Sequence, residues 1–123
     1  FIIVTVPTPI KKNNSPDLKY LIYASKIVAK CMIKSTVVIY ESTVYPGCTE
    51  EVCAPILEKY SNLKLNKDFY IGYSPERINP GKSKRKLTSI VKIVSGSNKY
   101  ATDLIARLYK KIIKAGIFVT ESI

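Results

Sequence analysis

The sequence predicts an α/β fold, a mostly parallel sheet with helices on both faces. Three observations carry that expectation. Short apolar runs alternate with amphipathic helical stretches in the order β-α-β-α-β-β-α-β, which implies right-handed crossovers between parallel strands. The runs Phe1–Val6 and Thr36–Tyr40 are continuous and β-branched, as in strands buried on both faces. Three strand ends then fall on one edge, and each is a polar segment: Pro7-Thr8-Pro9, Ser42-Thr43 and Ser74 to Asn79.

Taken in order, Pro7 and Pro9 stop the first strand, and Lys11 to Asn14 is a polar loop. Ser15-Pro16-Asp17 predicts a helix start, with Ser15 as cap, Pro16 in the first turn and Asp17 at the positive end of the dipole. Leu18, Leu21, Ile22, Ser25, Val28, Ala29 and Met32 follow at helical spacing and form one stripe. Thr36–Tyr40 is the second strand. Thr49 is a candidate cap for a helix with Glu50 and Glu51 in its first turn, and Val52, Ile56, Leu57 and Tyr60 as its buried face. Pro55 conflicts with that helix, because it lacks an N–H and crowds the preceding turn. Phe69–Tyr73 and Ile90–Val94 are the third and fourth strands. Ser95 to Asn98 turns into a helix with Ala101, Leu104, Ile105, Leu108 and Ile112 on one face. Gly116 closes that helix, and Ile117–Val119 is a last strand.

The 123 residues suffice for one domain with a core. No apolar run reaches the length of a membrane helix, and the opening FIIVTV lacks the flanks of a signal peptide. A chain that starts inside an apolar run, without methionine, reads as a fragment of a longer protein. Twenty Lys and Arg against nine Asp and Glu give +11, which favours anionic partners. The densest basic run, KSKRK at Lys82 to Lys86, reads as a solvated loop before it reads as a binding patch. Cys31, Cys48 and Cys53, with no histidine, fit no metal site and suit a reducing, cytoplasmic compartment.

The segment with most chemistry is YSPERINPG, Tyr73 to Gly81. Pro75 and Pro80 keep it out of helix, and it follows a strand where open α/β sheets bind ligands. Glu76 can accept a proton and Arg77 can offer a planar fork to an anion or a carbonyl oxygen. A structural pair between Glu76 and Arg77 is the equal alternative.

The pieces VPTP (Val6 to Pro9), DLKYL (Asp17 to Leu21), ESTVYPGCTEE (Glu41 to Glu51) and YSPERINPG resemble the UDP-glucose/GDP-mannose dehydrogenase family, over essentially the whole chain. The last two look most like the branch that oxidises UDP-N-acetylhexosamines. The resemblance implies a Rossmann-like NAD-binding domain, of which residues 1–123 are the C-terminal part. It implies an NAD-dependent oxidoreductase that converts a UDP-sugar's primary alcohol to the uronic acid in two hydride transfers, by way of a cysteine thioester. Such chemistry belongs to polysaccharide biosynthesis.

Residue by residue, Thr8 and Pro9 look like the loop lining the NAD cleft, and Ser42 and Thr43 like the pair beside the nicotinamide. Thr43 resembles the residue that orders the catalytic water, and Glu76 the acid–base carboxylate. Glu76, Arg77, Ile78 and Asn79 look like the substrate-binding segment. No metal is implied. UDP-glucose-oxidising members carry a glutamate where Pro80 stands.

The GxGxxG turn of a dinucleotide fold is absent from this sequence. None of the three cysteines matches the family's nucleophile. Cys48 precedes a helix start but falls in the cofactor-side loop. The chain by itself is therefore expected to be inactive. Its parent is expected to be a cytoplasmic homo-oligomer with a UDP-sugar substrate, no nucleic-acid partner and no membrane. The competing readings are a small basic α/β module that binds nucleotide or nucleic acid, and a non-catalytic paralogue.

Overall fold

The computed structural model describes residues 1–77 and 87–123. Ile78 and Asn79 of the substrate segment, the Pro80-Gly81 turn and the basic run Lys82 to Lys86 lie outside the described residues.

Among the described residues, five strands form one sheet in the order β1-β2-β3-β4-β5: Ile2–Val4, Val37–Tyr40, Tyr70–Tyr73, Lys92–Gly96 and Ile117–Val119. The first three are mutually parallel. β4 runs antiparallel to β3, and β5 returns parallel to β4. The one antiparallel step among the described residues lies between β3 and β4, whose connection includes residues 78–86, outside the described residues. Three helices, α1 (Lys19–Cys31), α2 (Ala54–Ser61) and α3 (Lys99–Lys110), cover the sheet.

Alternation along β2 splits the core in two. Val38 and Tyr40 face α1 and α2, packing with Leu21, Val28, Leu57 and Ile71. Val37 and Ile39 face the other side, with Val94, Ile105 and Tyr109 under α3. Two crossovers of one hand from neighbouring parallel strands place α1 and α2 on one face, and the reversal at β4 sends α3 to the other. The mostly parallel, Rossmann-like sheet with helices on both faces is the expected fold.

Local details differ from the sequence reading. Ser15 does not cap α1. Its amide and hydroxyl both donate to Asn13 Oδ1, and the helix begins at Lys19, whose amide donates to Asp17 Oδ1. Thr49 does not cap either. It is buried inside a π-helical turn, Thr49–Cys53, that follows Gly47 (φ 87°). That wide turn answers the Pro55 conflict. Pro55 sits in the first turn of α2, where its missing N–H breaks no α-helical bond. The extra residue in the turn also rotates the buried face. Cys53, Ala54 and Leu57 point inward, while Tyr60 is exposed beneath the ammonium groups of Lys26 and Lys59. β4 begins two residues later than expected. The buried stripe of α3 is Ala101, Ile105 and Tyr109, continued by Ile113, and Ile112 is exposed. Asn98 caps α3 by accepting from the Ala101 amide at 2.8 Å.

Candidate active-site edge

Register fixes the edge. Val4 pairs with Tyr40, and Tyr40 with Tyr73, so three parallel strands stop at one level. The chain leaves each at the same side: Thr5 to Pro9, Glu41 to Gly47, and Ser74 to Arg77. This is the crevice outside the carboxyl ends of parallel strands, the usual ligand position in such sheets.

The loops are tied to one another by backbone-directed bonds. The Thr8 hydroxyl donates to the Thr43 carbonyl at 2.5 Å, and the Ser42 hydroxyl donates to the Val6 carbonyl at 2.7 Å. Ser74 donates through its amide to the Tyr40 carbonyl at 2.9 Å and through its hydroxyl to the Ile93 carbonyl at 2.6 Å. Thr8 is half-buried and Ser42 buried, whereas Pro9, Thr43, Glu76 and Arg77 are exposed along the edge. The structure therefore places Thr8, Pro9, Ser42, Thr43, Glu76 and Arg77 on three adjacent loops of one edge. Arg77 donates from Nη1 to the Val91 backbone carbonyl at 3.3 Å. Its amide donates to Glu76 Oε1 at 2.6 Å.

Beneath these loops lies a group that sequence reasoning did not single out. Lys92 is 3% exposed, and its ammonium lies 3.0 Å from Glu41 Oε1. The Tyr109 hydroxyl donates to the same Glu41 oxygen. Burial, and then the Glu41 carboxylate, push the Tyr109 phenol well above the ordinary tyrosine value. The available signal was a lysine inside the apolar run IVKIV, which demands a partner once that run is a buried strand.

Cys48 and Cys53 are free, fully buried thiols. Burial raises Cys48, and it pushes Cys53 up to about 12. A protonated, enclosed thiol is a poor nucleophile, which agrees with setting Cys48 aside. Of the cavities among the described residues, one of 410 Å³ beside Pro55 and Lys64 lies away from the edge loops, and two others bear on the site. One of 510 Å³ lies beside the start of α3 and the chain after β5, and Glu50, Asp103 and Glu121 line it. Lys99 lines it as well, and none of the three edge loops' polar residues reaches it. A 220 Å³ apolar cavity beside Val44, Gly47 and Tyr73 adjoins the Thr43 loop and suits a cofactor's flat ring better.

A mostly parallel sheet flanked by helices, with polar loops at the carboxyl ends of its parallel strands, is a Rossmann-like arrangement. The profile of the UDP-glucose/GDP-mannose dehydrogenase family, NAD binding domain, matches residues 1–113, and the chain belongs to that family. It is 54% identical over all of its length to the UDP-N-acetyl-D-glucosamine 6-dehydrogenase of Salmonella typhi, and 53% identical over 98% to that of Pseudomonas aeruginosa. Among solved structures, the UDP-D-ManNAc dehydrogenase of Pyrococcus horikoshii superimposes with a TM-score of 0.88 at 38% identity. That match covers 98% of this chain and 28% of the other. The chain spans 29% of the length of the two 6-dehydrogenases. The cofactor of this family's domain is NAD. No helix among the described residues is long and apolar enough to cross a membrane.

Proposed function

We propose that residues 1–123 are the C-terminal part of the NAD-binding domain of an NAD-dependent UDP-N-acetylhexosamine 6-dehydrogenase. The convergence of the Thr8, Thr43 and Glu76 loops at one carboxyl edge carries this reading. The identity to two UDP-N-acetyl-D-glucosamine 6-dehydrogenases supports the substrate class.

The donor set fits NAD. Thr43 offers a hydroxyl to ribose and amide groups, Thr8 offers only its acceptor lone pairs because its hydrogen is engaged by the Thr43 carbonyl, and the adjoining cavity is apolar enough for a ring. NAD, when bound, accepts the hydride. The chain's own residues do the rest. Thr8, Pro9 and Ser42 shape the cofactor side. Ser42 acts mainly as a brace, since its hydroxyl hydrogen is engaged by Val6. Thr43, exposed beside them, can donate to and accept from a water. Glu76 takes a proton from that water as the water oxygen adds to the carbonyl of the thioester held by the rest of the parent, whose cysteine thiolate is the leaving group, and the exposed edge leaves Glu76 room to release the proton to solvent. Arg77, with Ile78 and Asn79, forms the substrate side.

The charge of +11 has its partners in NAD and the UDP-sugar, both anionic, and this reading includes no nucleic acid. The parent is a cytoplasmic homo-oligomer in this account, with light scattering as the check. The function is tested by offering the parent protein NAD with UDP-GlcNAc, UDP-GalNAc and UDP-glucose and following NADH. An N-acetyl sugar is the preferred substrate. A folded parent that is active on none of the three would leave the fold alone standing. Binding to an oligonucleotide that weakens steeply with salt would then favour the basic-module reading.

A further inference from the structure

Glu41, Lys92 and Tyr109 form a buried polar cluster that no step above uses. The lysine side chain is 4% exposed and the glutamate side chain 15%. A lysine so enclosed stays charged only with partners. Its ammonium has Glu41 Oε1 at 3.0 Å and the Pro75 carbonyl oxygen at 3.5 Å, and it lies 5.4 Å from the centre of the Tyr109 ring. Tyr109 closes the cluster through its bond to Glu41.

Four separate segments meet here: the residue after β2, the loop after β3, the first residue of β4 and the last turn of α3. Glu41 lies two residues before Thr43, and Pro75 lies one before Glu76. Each proposed catalytic group stands on a loop rooted in this cluster. An apolar packing of the same volume often stabilises a fold as well as a buried ion pair does. What the ion pair adds is direction, because its bonds hold only at one separation of the two loop roots.

Resting on the reading of Thr43 and Glu76 given above, we propose that Lys92 is a positioning residue. Its ammonium, with Glu41 and Tyr109, holds the Glu76 loop at a fixed distance and orientation from the Thr43 loop during the reaction. It touches neither substrate nor cofactor.

The test is a cycle of K92M, E76Q and K92M/E76Q in the parent enzyme, read as kcat and as KM for NAD and for UDP-GlcNAc. K92M should lower kcat by about 10- to 100-fold, as small displacements of catalytic groups do, with little change in either KM. In the E76Q background the same substitution should add little, because the group it positions is already disabled. An equal loss in both backgrounds would make Lys92 merely structural and overturn the proposal, while the role of Glu76 would stand. An E76Q enzyme with unchanged kcat would remove the reading of Glu76 and the proposal together. Should K92M fail to fold, Y109F deletes one hydroxyl and leaves the ion pair. A smaller kcat loss that vanishes in the E76Q background supports the proposal, and a wild-type kcat for Y109F, or an equal loss in both backgrounds, overturns it.

Discussion

Ser42 and Thr43 are neighbours with opposite surroundings. Ser42 is buried and its hydroxyl is tied to Val6, while Thr43 is exposed and its carbonyl is held by Thr8. One residue braces the loop so that the next can present a hydroxyl to the edge. The buried tyrosines make a prediction at this scale. Tyr40 shares a bond of 2.8 Å with Ser25, and Tyr109 contacts Glu41. Burial raises both phenols above the ordinary value of 10.0. A raised folded value means that the folded state keeps its proton where the unfolded chain has lost it. These groups therefore contribute full stability below about pH 10, and that contribution falls as pH rises beyond it. In an alkaline titration followed at the phenolate absorbance, Tyr40 and Tyr109 should ionise only as the fold is lost. Y109F should then show a shallower decline of stability above that pH, and an unchanged slope would contradict the assignment for Tyr109.

The elements show which parts of the molecule were legible in the sequence. The order of strands and helices, and the edge that gathers Thr8, Thr43 and Glu76, follow from apolar periodicity and proline placement, which are local signals. The π-helical turn at Thr49–Cys53 was not legible. It arises from a compromise between Gly47, Pro55 and the packing of Cys53, and it turned the face of α2 by one residue. The α3 stripe was misread at Tyr109 because a phenol reads as half polar until its partner, Glu41, is known from 68 residues away. The antiparallel step at β4 makes its own demand. Gly96 ends β4 beneath the first turn of α3, and an added Cβ would meet the Thr102 amide nitrogen at 2.5 Å and the Ala101 carbonyl carbon at 2.8 Å. Both are backbone atoms that no side-chain rotation can move. G96A should therefore lower stability by about 1–3 kcal/mol, the usual cost of overpacking, measured as a fall in the urea midpoint. An unchanged midpoint would mean that α3 does not sit this close to β4.

For the whole molecule, the sheet is open, with β1 at one edge and β5 at the other. β1 is an edge strand with Ile3 44% exposed, and Phe1 just before it is 59% exposed, whereas α3 packs against β3, β4 and β5. In the proposed parent this edge meets the other half of the NAD-binding domain. The loops at residues 7–9 and 41–47 would then form one wall of the cleft, with the phosphate-binding turn on the other. The 123-residue chain alone should bind NAD weakly or not at all by isothermal titration. Tight binding would show that one wall suffices. The central claim is that this edge serves a double oxidation of a UDP-N-acetyl sugar, with the proton handled by Glu76. Its most direct test is the NADH formed per UDP-GlcNAc consumed by the parent enzyme, wild type and E76Q. The account predicts two NADH per sugar for the wild type, and a kcat lowered by about 10²- to 10⁴-fold in E76Q, the usual contribution of general acid–base catalysis. One NADH per sugar, or an E76Q enzyme as fast as wild type, would contradict it.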